Sequence, residues 1–98
     1  ETGAETAPGA FDDAADFARN DLVGAARTRH RPFGDTRLWL DRGDADDFIP
    51  GDEAFVAALR AGGSRIETRV WPGDHGMDYL LPHLDVPLRF YSRVLAAC

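Results

Sequence analysis

Two short loops carry side chains suited to proton transfer. PGDHG, at residues 72–76, places His75 in a Pro-Gly turn between two apolar stretches. GDADDF, at residues 43–48, is rich in carboxylates. A histidine on one loop and a carboxylate on the next is the base-and-orienter pair of nucleophilic catalysis. The carboxylate accepts a hydrogen bond from one imidazole nitrogen, and the other nitrogen takes up a proton.

Each of these loops follows a predicted strand. An apolar run bounded by turn residues predicts a buried strand at about 36–42, and alternating apolar residues predict a second strand at about 64–71. Ligands of parallel α/β sheets bind outside the carboxyl ends of the strands. We therefore expect the two loops to lie side by side at one edge of a sheet.

Helices are predicted between the strands and after them. One spans about 52–62, with Asp52 as its N-cap and a Gly pair at its end. Apolar residues at helical intervals predict another at about 84–97; they are Leu84, Leu88, Tyr91 and Leu95. Upstream, 11–27 is predicted to be a helix broken at the sequence RND.

The order strand, helix, strand, helix predicts an α/β fold with parallel strands and a right-handed crossover. Residues 1–10 are small and polar, so we expect a flexible N-terminal segment, with the folded part at 11–98. Two parallel strands do not form a stable sheet unaided. We therefore expect the chain either to borrow strands from another copy or to be part of a larger sheet.

Composition excludes several classes of function. The 98 residues carry 17 acidic and 11 basic side chains, for a net charge of −6, and no basic stripe indicates a nucleic-acid partner. No apolar run is long enough to span a membrane. The single cysteine, Cys98, cannot form an internal disulfide, and a terminal position gives it no rigid frame as a nucleophile. The abundance of Ala, Gly, Arg and Asp is typical of GC-rich bacterial coding.

An ordered set of motifs resembles a known family. An apolar strand is followed by the loop G-x-x-D-x-F, a helix ending in Gly, a second strand, W-x-G-x-H and a closing helix with LRFY. Over about residues 7–97 this set is similar to the C-terminal part of the α/β-hydrolase superfamily, specifically to bacterial esterases of the esterase D and mycolyltransferase-related group. The resemblance implies the C-terminal βαβα part of an α/β-hydrolase fold, incomplete as a stand-alone domain.

The resemblance also implies roles for individual residues. His75 matches the catalytic histidine of the family, and Asp46, three residues after Gly43, matches the acid of the triad. Asp47 is the runner-up acid and Asp44 a more distant third. The implied substrate is a small-molecule ester or acyl compound, and no organic cofactor or metal is implied.

The nucleophile of the family is missing from the sequence. It lies in G-x-S-x-G at a strand-to-helix turn, well before the region matched here. The two serines present, Ser64 and Ser92, do not lie in such a motif. We therefore expect the serine to lie outside this chain and the chain alone to be inactive. The expected partner is the missing N-terminal part of the same fold or another copy of the chain.

Other interpretations of these residues stay open. His75 could be a surface histidine, and the four acids at 41–47 a solvated loop. A cation site in this loop matches only two positions of the EF-hand pattern before Phe48 interrupts it. Met77 and Tyr79 fit either a pocket mouth or the core. Finally, the chain could be a non-catalytic, truncated hydrolase-like module that acts through oligomerisation or a partner.

Overall fold

The structure, a computed structural model, describes residues 9–97. Most of the N-terminal segment expected to be flexible, and Cys98, lie outside the described residues. The helices are α1 (Ala14–Asn20), α2 (Leu22–Thr28), α3 (Ile49–Ala61), α4 (Met77–His83) and α5 (Asp85–Leu95). The strands are β1 (Leu38–Gly43) and β2 (Ile66–Trp71). No helix in this part of the chain is long and apolar enough to cross a membrane.

Strands β1 and β2 pair in parallel, as the order of elements predicts. The register runs from Leu38 opposite Ile66 to Gly43 opposite Trp71. Both strands therefore end at the same edge, and the loops that follow them start side by side. The described residues form a mixed α/β arrangement with a two-stranded parallel sheet.

Two aspartates divide the N-terminal helical region into α1 and α2. Asp13 caps α1 by accepting a hydrogen bond from the backbone N–H of Asp16 at 2.7 Å. Asp21 interrupts the helix and caps α2 by accepting from the N–H of Gly24 at 2.8 Å. Short polar side chains stabilise helix starts in this way, so the break falls within the predicted RND.

Helix α3 begins three residues before the predicted start, so Asp52 is not its N-cap. Phe48 occupies the N-cap position without a side-chain hydrogen bond, and Pro50 lies in the first turn. Proline suits this place because its fixed φ is helical and no partner is needed there for its missing N–H. The helix ends before Gly62, and Gly63 then takes a left-handed φ of +82°.

The core is small and lies around the sheet. Its buried apolar residues are Ala26, Val56, Leu59, Tyr79 and Phe90. Leu59 of α3 is 0% exposed and Phe90 of α5 is 1% exposed. The ring of Phe90 packs on Trp39 of β1 with centroids 5.4 Å apart.

The C-terminal region forms two helices where one was predicted. Helix α4 occupies residues to which the sequence analysis assigned no element, and Leu84 separates it from α5. Helix α5 places Phe90 inward. The apolar residues that predicted α5 are largely exposed: Leu84 at 41%, Leu88 at 57%, Tyr91 at 50% and Leu95 at 71%.

Candidate active site

The two loops at the carboxyl edge of the sheet are joined by backbone hydrogen bonds. Beyond the last strand pair, the N–H of Asp44 donates to the carbonyl of Trp71 at 2.9 Å, and the N–H of Ala45 donates to that of Gly73 at 2.9 Å. The N–H of Gly73 donates to Oδ1 of Asp44 at 3.1 Å. The two loops therefore remain in contact beyond the end of the sheet.

Gly43 permits this close approach. A Cβ atom at Gly43 would lie 2.0 Å from the carbonyl oxygen of Gly73, a distance that real Cβ atoms do not reach. The opposing atom belongs to the backbone, so it cannot rotate away as a side chain would. Only glycine at position 43 allows the loop after β1 to lie directly against the loop after β2.

Asp46 and His75 meet between the joined loops. Nδ1 of His75 lies 2.8 Å from Oδ2 of Asp46, and Oδ1 of Asp46 accepts the backbone N–H of Phe48 at 2.8 Å. Asp46 is the one charged residue buried in the described part of the chain, at 6% exposure. An ionised carboxylate only accepts hydrogen bonds, so Nδ1 of His75 carries the proton in this contact.

The rest of the His75 imidazole is exposed to solvent. The His75 side chain is 72% exposed, compared with 4% for the Asp46 side chain. With Nδ1 donating to the carboxylate, the neutral ring has its lone pair on Nε2. The arrangement is a buried acid that orients an exposed base.

Charge and hydrogen bonding shift the titration of this pair. The N–H of Phe48, and then the bond from His75, lower the pKa of Asp46 below its usual value. The hydrogen bond to Asp46, and then its negative charge, raise the pKa of His75. Nearby, burial and the charge of Asp46 raise the pKa of Asp52. The paired form of Asp46 and His75 is thus the charged one.

The structure places the other two candidate acids differently. Asp47 is exposed beside the buried Asp46. Asp44 is exposed too and accepts the N–H of Gly73, which joins the loops. Of the three aspartates in the loop after β1, it is therefore Asp46 that the fold brings to His75.

A cavity of about 350 Å³ adjoins the pair, and its lining includes Asp46, His75, Met77, Tyr79 and Leu80. Large apolar side chains surround the exposed imidazole. Phe48 is 56% exposed, and its ring and the His75 imidazole form a T-shaped pair with centroids 5.0 Å apart. Met77 is 60% and Leu80 40% exposed. Pockets for small organic molecules have such volumes and such a mixture of apolar walls and few polar groups.

Neither serine lies near His75. Ser64 precedes β2 and His75 follows it, and a six-residue strand is roughly 20 Å long. Ser92 adjoins Arg93, whose guanidinium lies 3.5 Å from Glu67 near the start of β2. Both serines therefore lie toward the end of the sheet opposite to the Asp46–His75 pair.

The acidic loop does not converge on a metal position. Among residues 9–97, no group of three or more His, Cys, Asp and Glu side chains is placed to hold a metal ion. The acids of the loop accept backbone N–H groups instead: Asp46 accepts from Phe48 in the same loop, and Asp44 accepts from Gly73 in the loop after β2.

One residue near the site, Asp41, was not singled out by the sequence, and its partner is Tyr79, for which both a pocket mouth and the core were left open. Asp41 in β1 accepts a hydrogen bond from the hydroxyl of Tyr79 at 3.0 Å, and Tyr79 is 8% exposed. The sequence placed Asp41 only within an acidic cluster. A polar residue in the middle of a strand expected to be buried is the signal that could have identified it, since buried carboxylates need partners.

No protein-family model, curated protein or solved structure matches the chain. Functional assignment therefore depends on the described residues, which combine a parallel α/β sheet edge, a histidine–carboxylate pair and an adjoining cavity.

Proposed function

We propose that this chain supplies the histidine and the acid of a Ser-His-Asp triad, within a serine esterase or acyltransferase of the α/β-hydrolase fold. The nucleophilic serine would come from outside the chain. The observation that carries the proposal is the hydrogen bond between His75 Nδ1 and Asp46 Oδ2, with the rest of the imidazole exposed. This is the orientation that a general base needs when it serves a hydroxyl nucleophile.

In this mechanism His75 moves a proton twice. As the serine oxygen bonds to the ester carbonyl carbon, Nε2 of His75 takes the hydroxyl proton. When the carbon–oxygen bond to the leaving alcohol breaks, the imidazolium returns that proton to the alcohol. Water or an acceptor alcohol then attacks the acyl-enzyme through the same sequence. Asp46 stabilises the imidazolium throughout, and its effect on the pKa of His75 has the sign that this role requires.

The surroundings of His75 favour a substrate with an apolar group. Phe48, Met77 and Leu80 present exposed apolar surface beside the imidazole and the cavity. Such surface favours the acyl or alcohol part of a small ester over a highly charged substrate.

The test is ester hydrolysis by the protein that contains both this chain and the serine. With p-nitrophenyl acetate, we expect His75→Ala and Asp46→Asn to lower kcat by about 10⁴-fold. Asp47→Asn is the matched control for the acid and should retain activity. Full activity of His75→Ala would exclude the proposed base, and loss in Asp47→Asn alone would show that Asp46 is the wrong acid.

A second candidate is a non-catalytic module that acts through self-association or a partner. It is favoured by the exposed apolar side of α5 and by the sheet, which in the described residues has two strands and hence two edges without a strand partner. Sedimentation equilibrium of the chain tests self-association. A hydrolytically inactive serine-containing protein together with a stable oligomer would favour the module over the enzyme.

A further inference from the structure

A second, partly buried contact lies beside the Asp46–His75 pair. The hydroxyl of Tyr79 donates to Oδ1 of Asp41 at 3.0 Å, and the indole N–H of Trp39 donates to Oδ2 of the same carboxylate. Both oxygens of Asp41 are therefore occupied by neutral donors.

This contact joins the strand that precedes the acid to the helix that follows the base. Asp41 lies in β1, five residues before Asp46, and Tyr79 lies in α4, four residues after His75. The Tyr79 side chain also packs against the turn that holds His75, because a Cβ atom at Gly73 would lie 3.2 Å from Cβ of Tyr79. Tyr79 thus contacts β1 at one end and the histidine turn at the other.

We propose that Tyr79 is a positioning residue: its hydrogen bond to Asp41 holds α4 and the turn 72–76 against β1, so that His75 stays on Asp46. The catalytic meaning of this contact rests on the proposed function. The contact itself does not rest on the proposed function, since it is defined by Asp41, Tyr79 and the geometry of the turn.

The chemistry of the bond suits a permanent contact. Burial, and then the hydrogen bond and charge of Asp41, raise the pKa of Tyr79 well above its usual value of 10.0. The hydroxyl therefore remains protonated, and hence a donor, at neutral pH. The backbone bonds between the loops hold Trp71 and Gly73, at the start of the turn, whereas Tyr79 holds the helix that follows it.

The test uses NMR titration of the His75 imidazole in the 98-residue chain, with Tyr79→Phe as the variant. Tyr91→Phe, at the other tyrosine of the chain and 50% exposed, makes the same chemical change away from the contact. We expect the pKa of His75 to be raised in the unaltered chain and in Tyr91→Phe. In Tyr79→Phe it should fall toward 6.5, with loss of the preference for the Nδ1–H tautomer.

Electrostatics alone predicts a different result. The carboxylates that act on His75 are Asp46, Asp52 and Asp74, and Tyr79→Phe alters none of their charges. A fall in the pKa of His75 therefore reports displacement of the imidazole from Asp46, which a residue acting only on global stability would not cause in folded protein.

Each outcome decides a different point. An unchanged or higher pKa of His75 in folded Tyr79→Phe overturns the positioning role and leaves the Asp46–His75 pair intact. A His75 pKa of 6.5 or below in the unaltered chain overturns the pair, and the proposed function with it. If Tyr79→Phe does not fold, the test is instead the rate at which the Tyr79 hydroxyl proton of the unaltered chain exchanges with solvent. Slow exchange of the Tyr79 hydroxyl proton supports the contact, and exchange as fast as that of Tyr91 overturns it.

Discussion

Nδ1 of His75 lies 2.8 Å from Oδ2 of Asp46 although 29 positions separate the residues in the chain. Strand pairing brings them to one edge of the sheet, and the backbone bonds between the following loops complete the approach. The carboxylate is held from both sides, by the imidazole and by the N–H of Phe48. An acid fixed in this way orients a partner that remains open to solvent.

Asp46→Asn should lower the pKa of His75 toward 6.5, since the hydrogen bond and charge of Asp46 are the main causes that raise it. Asp47→Asn makes the same change at the adjacent exposed position and should leave the titration of His75 within error of the unaltered chain. The measurement is the pH dependence of the imidazole carbon and nitrogen shifts. An equal effect of both substitutions would indicate that the total negative charge of the loop, rather than the hydrogen bond to Asp46, determines the pKa of His75.

The stability of the chain should depend on pH through this pair. The pKa of His75 is raised in the folded state, so its contribution is fully present below 6.5 and is lost as pH rises through the folded value. The pKa of Asp46 is lowered, so its contribution is present above 3.8 and is lost as pH falls through the folded value.

Urea unfolding of the unaltered chain and of His75→Gln isolates the histidine part of this dependence. We expect the difference in unfolding free energy between them to shrink as pH rises from below 6.5 to well above it. The comparison also reduces the contribution of Asp52, whose pKa is raised mainly by burial and by the charge of Asp46, because both of these causes are present in the two proteins. A difference that is constant over this range would contradict the effect assigned to Asp46.

Gly43→Ala should separate the two loops. Its Cβ would overlap the carbonyl oxygen of Gly73, so the backbone must move, at a cost of about 1–3 kcal/mol in unfolding free energy. The pKa of His75 should also fall, because the displaced loop carries Asp46. Gly51→Ala in α3 is the control: nothing lies within 4 Å of its Cβ position, and Ala in a helix should stabilise by about 0.5–1 kcal/mol. Equal stabilities of the two variants would exclude the close approach as a constraint.

The local pattern of the sequence was sufficient for the parallel strands and for the two loops at their ends. Alternation and turn residues indicate where β1 and β2 lie, and a helix between them indicates that they are parallel. The start of α3 could not be derived in the same way. The sequence is compatible with a helix that has Asp52 as its N-cap and with one that has Pro50 in its first turn, and the structure has the second. The choice of Asp46 over Asp47 depended on the family resemblance. Two adjacent aspartates have the same chemistry, and only the folded backbone determines which side chain lies next to His75.

Helix α4 and the Asp41–Tyr79 bond depend on contacts distant in sequence. Pro82 lies inside α4, and a proline within a helix ordinarily argues against it. The buried ring of Tyr79 and the stacking of Trp71 on His83, at 4.5 Å between centroids, pack this segment on β2. Such packing is not visible in residue spacing.

Leu→Ala substitutions at two positions should distinguish a core residue from a residue on the exposed side of α5. Leu59 of α3 is 0% exposed, and Leu59→Ala should cost about 2–5 kcal/mol because it removes buried methyl groups and leaves a cavity. Leu88 of α5 is 57% exposed, and Leu88→Ala should change the unfolding free energy by about 0.5 kcal/mol or less. Chemical unfolding at several protein concentrations provides the measurement. A large loss for Leu88→Ala that depends on concentration would show that another copy covers α5, whereas a small loss for Leu59→Ala would contradict the core described for α3.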